Sequence, residues 1–176
     1  MNRSQLEHVI RAASSIADDP EIVIVGSQAI LGCYPRAPAA LCVSEDADVY
    51  PRNHPERAEL VDGAIGELSA FHDTFGYYAH GVGPETAVLP AGWESRLVRI
   101  ASPGTAGAVG LCLHPSDLAL SKLVAGREKD LEYLRLLVSN DLVRVADLLP
   151  LVESTPVEES VRDLMRARLA SLRSSP

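Results

Sequence analysis

Lysine is almost missing from this chain. Of its 16 Lys+Arg residues only Lys122 and Lys129 are lysine, and both lie in one short segment. Aromatic residues make up 5% of the 176, and there are three cysteines, Cys33, Cys42 and Cys112. An odd number of cysteines with no Cys-x-x-Cys pair gives little support to metal or redox use and fits a reduced, cytoplasmic protein. No run approaches the roughly 18 to 20 apolar residues that cross a bilayer. The start, MNRSQLEHVIRAASSIADD, lacks the continuous apolar stretch of a signal peptide and reads as part of the mature fold. The histidines show no His-Glu-x-x-His spacing, there is no Gly-x-Ser-x-Gly, and Gly104-Thr-Ala-Gly107 lacks the Gly-Lys of a P-loop. Zinc, serine-hydrolase and P-loop chemistry are therefore unsupported.

What is present describes a folded domain. Hydrophobic residues make up 47%, charged residues 23%, and the formal net charge is −8. A chain of this length buries about 70% of the surface its unfolded form exposes and needs no covalent staples. The acidic balance argues against wholesale electrostatic binding of nucleic acid, although a local basic groove stays open.

Apolar periodicity predicts a helix over 5–17, with Ser4-Gln5-Leu6-Glu7 as a capping box. The β-branched run Glu21-Ile-Val-Ile-Val-Gly26 predicts a buried strand. Gly26-Ser27 then opens a further helix, and a loop with Pro35 and Pro38 leads into a short strand, Ser44-Glu-Asp-Ala-Asp-Val-Tyr50. A long helix is expected over 54–72, and short strands at Tyr77-Tyr-Ala, Arg96 to Ile100 and Val109 to Leu113. Everything after Pro115 reads as helix, with Thr155-Pro156 capping the last one. The expectation is an α+β fold, a small mixed β-sheet flanked by helices with a helical C-terminal part. It forms a single domain over 1–176, about 1–114 sheet and helices and about 115–176 helical.

Three segments can carry chemistry. Gly26-Ser27 follows a strand and starts a helix, where a small residue, backbone N–H groups and a hydroxyl can meet a phosphate; a turn and cap would have the same sequence. Asp46 and Asp48 alternate on a strand and so share one face. Two like charges placed there repel unless a cation lies between them, and magnesium is held by one or two carboxylates with water and substrate phosphates. The bland alternative is an exposed acidic strand. Lys122 falls among Leu118, Ala119, Leu123 and Ala125, where an unpaired ammonium is disfavoured. It is either a snorkelling side chain or a point charge for a phosphate or carboxylate. Asp130 can pair with Lys122 or with Arg127.

In this order the three segments resemble the minimal nucleotidyltransferases of the DNA polymerase β-like fold, in the abortive-infection toxin-like and DUF6036-like bacterial group. The resemblance runs over about residues 20–135. It implies that Gly26 and Ser27 hold nucleotide phosphates, with Lys122 and Arg127 also on the nucleotide side. It implies further that Asp46 and Asp48 bind Mg2+, that Lys122 neutralises triphosphate charge, and that Asp130 acts near the acceptor as base or orienting group. The implied reaction passes a nucleoside monophosphate from an NTP to a hydroxyl of RNA, such as tRNA, of protein or of a small molecule. The setting the resemblance suggests is toxin–antitoxin or phage defence, with a cognate partner protein and no membrane. One departure stands out: such proteins commonly carry a third carboxylate on a later strand, and Arg96 to Ala101 has none, leaving Glu94 and Asp130 as substitutes. The competing reading is a catalytically silent binding module or antitoxin-type partner. In the tail, Arg162, Arg166 and Arg173 share one helical face, with Arg168 beside it. Acids lie close by, so a solvated face is expected there and RNA contact is the alternative.

Overall fold

The computed structural model describes residues 1–173, the side chain of Arg173 excepted. The chain divides into two compact units, Met1–Thr86 with Leu97–His114, and Ala87–Arg96 with the residues from Pro115 onward. The segment Ala87–Arg96 thus belongs with the helical half.

The first unit is built on a five-stranded mixed sheet, as the strand runs predicted. Its strands are β1 (Glu21–Ile24), β2 (Asp46–Pro51), β3 (Tyr78–Gly81), β4 (Val98–Ile100) and β5 (Val109–Cys112), in the order β3-β2-β1-β5-β4. β1 is antiparallel to β2 and parallel to β5, β2 is parallel to β3, and β4 is antiparallel to β5. β1 is buried from Ile22 to Ile24 because strands lie on both sides of it, which explains its unbroken β-branched run. Helix α1 (Arg3–Ala17) buries Leu6, Val9, Ile10 and Ala13. At Gly110 on β5 an added Cβ would sit 2.4 Å from Ile10 Cδ1, so that glycine lets helix and strand meet closely.

Two local expectations are corrected here. The α1 cap is Asn2, whose side chain accepts from the Gln5 N–H while the Gln5 side chain answers the Asn2 N–H. Both Asn2-x-x-Gln5 and Ser4-x-x-Glu7 fit the box pattern, and the earlier one starts the helix two residues sooner. The long helix over 54–72 is broken into a 3-10 turn (Pro55–Arg57), α3 (Ala58–Ile65) and α4 (Ala70–Phe75). The break falls at Gly66, whose added Cβ would lie 2.1 Å from the Asp62 carbonyl oxygen, and at Leu68, which takes a left-handed φ of 60°. Leu68 lies at helical spacing from the buried Ala58, Val61 and Ile65, yet it is 83% exposed.

The second unit holds α5 (Pro115–Ala125), α6 (Glu128–Ser139), α7 (Val145–Ser154) and α8 (Glu159–Arg173) around Leu118, Leu120, Leu123, Leu134, Leu137, Leu148, Val152, Met165 and Leu169. Thr155 closes α7 instead of opening α8, its hydroxyl donating to the Leu151 carbonyl at 2.8 Å. After α5, Gly126 takes φ +63°, and the Arg168 guanidinium occupies the space its Cβ would fill. Arg168 donates to the Leu123 carbonyl and, at 3.2 Å, to that of Val124, satisfying carbonyls that a helix end leaves open.

Candidate active site

Asp46 and Asp48 open β2. Between and after them Ala47 and Val49 are fully buried, so the strand is fixed with one face in the core and both carboxylates on the other. The register sets Asp46 opposite Tyr78 and Asp48 opposite His80 on β3. The Asp46 carboxylate accepts the Ser44 hydroxyl. Asp48 Oδ1 lies 2.9 Å from His80 Nδ1, with the two side chains 27% and 55% exposed.

Gly26 acquires a specific reason in this arrangement. Its backbone passes so close to Asp48 that a Cβ would stand 2.1 Å from Asp48 Oδ2 and 2.8 Å from Cγ. Beside it the Val25 N–H donates to the Asp48 carbonyl at 3.0 Å. Ser27 begins a 3-10 turn, Ser27–Ala29, which passes into the single turn α2 (Ile30–Cys33). The structure therefore brings Gly26, Asp48 and His80 together, with Asp46 next on the same face and Ser27 next in the chain.

Negative charge is concentrated on this face. Burial, and then the charges of Asp46, Glu67, Asp48 and Glu45, push the Tyr78 hydroxyl above its ordinary pKa. Gln28 is fully buried and donates to the Ser44 carbonyl at 3.3 Å, anchoring the segment that enters β2; its Oε1 has no partner among the described residues.

The second unit brings together Lys122, Arg127 and Asp130. Lys122 Nζ lies 3.2 Å from Asp130 Oδ1 and 4.6 Å from the centre of the Tyr133 ring. Arg127 Nε lies 2.7 Å from Asp130 Oδ2. Asp130 is 1% exposed. Burial opposes its charge, but the Arg127 hydrogen bond and the Lys122 charge prevail and hold its carboxyl below the ordinary value. Asp130 is thus paired with both Lys122 and Arg127. Close by, Arg96 forks onto the fully buried Asp117, with Nη2 2.7 Å from Oδ1 and Nε 3.0 Å from Oδ2.

Residues 4–167 match the family described as a nucleotidyltransferase of unknown function (DUF6036). The chain belongs to this family. No curated protein and no solved structure matches it. Nucleotidyl transfer is accordingly the general activity that its family indicates. The match extends beyond the 20–135 over which the motifs were read, taking in α1 and most of α8.

For a DUF6036 nucleotidyltransferase the question at β2 is whether its residues suit a divalent cation. Among the described residues no group of three or more His, Cys, Asp and Glu side chains is arranged to hold a metal. Two oxygen donors on one strand face do suit magnesium carried on a nucleotide, where phosphates and water complete the octahedron. Arg96 to Ala101, the later strand without an acid, contributes β4, at the opposite edge of the sheet from β3. The neighbour of β2 on its outer side is β3, and the side chain it sets beside Asp48 is His80, which sequence reading passed over. The only trace in the sequence was Tyr78-Ala-His80, whose alternation matches Asp46-Ala-Asp48.

The arginines of α8 are engaged within their own unit. Arg166 binds Glu153, Glu159 and Asp163 at 2.7 to 2.8 Å, and Arg162 binds Glu159 at 2.5 Å. Arg173 belongs to the same expectation, and its side chain lies outside the described residues. No described helix is long and apolar enough to cross a membrane.

Proposed function

We propose that this protein is a magnesium-dependent nucleotidyltransferase in which Asp46 and Asp48 hold Mg2+ and Gly26 and Ser27 meet the phosphates. The observation that carries this reading is the clustering of Asp46 and Asp48 on one face of β2, with the Asp48 carboxylate lying against the bare backbone of Gly26. A bound magnesium ion would supply positive charge where the transferring phosphoryl group becomes more negative. The acceptor hydroxyl oxygen bonds to the α-phosphorus, the bond from that phosphorus to the bridging oxygen of pyrophosphate breaks, and the hydroxyl proton is released.

Lys122 is assigned to the triphosphate by the family resemblance and by its chemistry. With Arg127 it places two positive charges on one carboxylate, so the cluster keeps a net positive charge. The acceptor is a hydroxyl of RNA, protein or a small molecule.

The test is incubation with each α-labelled NTP, Mg2+, total cellular RNA, total protein and a small-molecule cell extract. Label entering one pool is expected, and its loss in Asp48→Asn and Asp46→Asn at unchanged melting temperature ties transfer to β2. Absence of both label and calorimetric NTP binding, in folded protein, would sink the reading. NTP binding without transfer to any pool would instead identify a silent nucleotide-binding module, the reading favoured by the lack of an acid beside Asp48 on β3.

A further inference from the structure

The carboxylates of β2 have a neighbour that the aspartate pattern does not include. We propose that His80 is a positioning residue of this site, donating its Nδ1–H to Asp48 Oδ1 and thereby fixing the orientation in which Asp48 meets a divalent cation. The inference rests on the magnesium reading above and extends it to a residue on another strand.

Three observations support it. The contact is built by the sheet: Asp48 and His80 are cross-strand partners in the parallel β2/β3 ladder, and the buried Ala47 and Ala79 beside them fix both side chains on the same face. The distance, 2.9 Å, is that of a good hydrogen bond, and the donor is present in both the Nδ1–H neutral form and the imidazolium. The other flank of the carboxylate is closed by Gly26, where a Cβ would stand 2.1 Å from Oδ2. Asp48 is therefore held at one oxygen by an imidazole and limited at the other by backbone. A freely rotating carboxylate would have to be ordered when the cation arrives, whereas this one is already ordered. Hydrogen-bond partners of metal ligands act in this way, and their removal weakens metal affinity about 10–100-fold.

A purely structural cross-strand pair would leave cation affinity unchanged, and that separates the alternatives. The probe is Mn2+ together with a non-hydrolysable NTP analogue, its binding to the protein followed by calorimetry, with thermal melts on every variant. Wild type is expected to bind Mn2+, and Asp48→Asn to lose it. His80→Ala is expected to weaken binding about 10–100-fold, and His80→Asn, whose amide nitrogen stands near the place of Nδ1, to return it close to wild type. If His80→Ala unfolds, His80→Phe keeps a ring on the strand without the donor and takes its place. Wild-type affinity in the folded donor-less variant would overturn the role of His80 and leave the magnesium reading intact. So would equal weakening in His80→Asn. Wild type and Asp48→Asn indistinguishable in Mn2+ binding would remove the magnesium reading, and the His80 proposal with it.

Discussion

Gly26 and Asp48 illustrate how a residue's meaning depends on a partner distant in sequence. Gly26→Ala would press a methyl group onto Oδ2, Cγ and Cβ of Asp48 at 2.1, 2.8 and 3.0 Å, so the whole side chain must move, not only its tip. Overpacking of this kind costs about 1–3 kcal/mol. Urea denaturation should show that loss, and nucleotidyl transfer should fall further than stability does, because the displaced group is Asp48. Lys122→Met gives a different balance. It removes one of two cations from the buried Asp130 while the exposed Arg127 remains, so a stability loss of about 1.5–3 kcal/mol is expected, the worth of a hydrogen bond to a charged group. A rise in KM for the NTP beyond what unfolding explains would mark Lys122 as a nucleotide contact. A change in stability alone would mark it as structural.

Among the elements, α5 is tied down at both ends. Arg96 grips Asp117 in its first turn and Arg168 covers its last carbonyls. Arg96→Ala leaves the fully buried Asp117 carboxylate without its forked partner. Breaking a buried pair costs about 3–5 kcal/mol, and because Arg96 is partly solvated the lower end is expected, measurable as a drop in the denaturation midpoint. Legibility divides along the same line of local against distant causes. The β1 run, the Asp46-x-Asp48 alternation and the apolar faces of α1 and α6 are local patterns, and each element was readable from the chain. The Gly66–Leu68 break was not, because spacing alone cannot tell an exposed leucine from a buried one. His80 was not either, because only the strand order shows that β3, and not β4, lies beside Asp48. The Arg96–Asp117 fork joins residues on different segments, and neither carries a signal of its own.

At the scale of the molecule, acid acts on stability in one direction. Asp19 is buried, which opposes its charge, yet it accepts from the Glu21, Asn53 and His54 N–H groups and the Asn53 amide, and its pKa falls below 3.8. Asp130 is lowered likewise by its two cations. For both, the stabilisation is present above the unfolded pKa and is lost as pH falls through the lower folded value, so it disappears below about pH 4. His8 is lowered from 6.5 by burial and then by the Arg11 charge, so the unfolded chain takes up its proton first. Its contribution is complete above pH 6.5 and declines as pH falls below it. Thermal melts should fall as pH drops below 6.5, and less steeply in His8→Gln, with a second fall below about pH 4 that this variant retains.

The scarcity of lysine gives the folded chain a built-in chemical reporter. An amine-reactive ester has two side-chain targets, the exposed Lys129 and Lys122, which is 15% exposed, held by Asp130 and covered by Tyr133. Mass spectrometry of briefly labelled protein should find Lys129 modified first and Lys122 far behind. The lag at Lys122 then measures, in one native sample, how often α5 and α6 part.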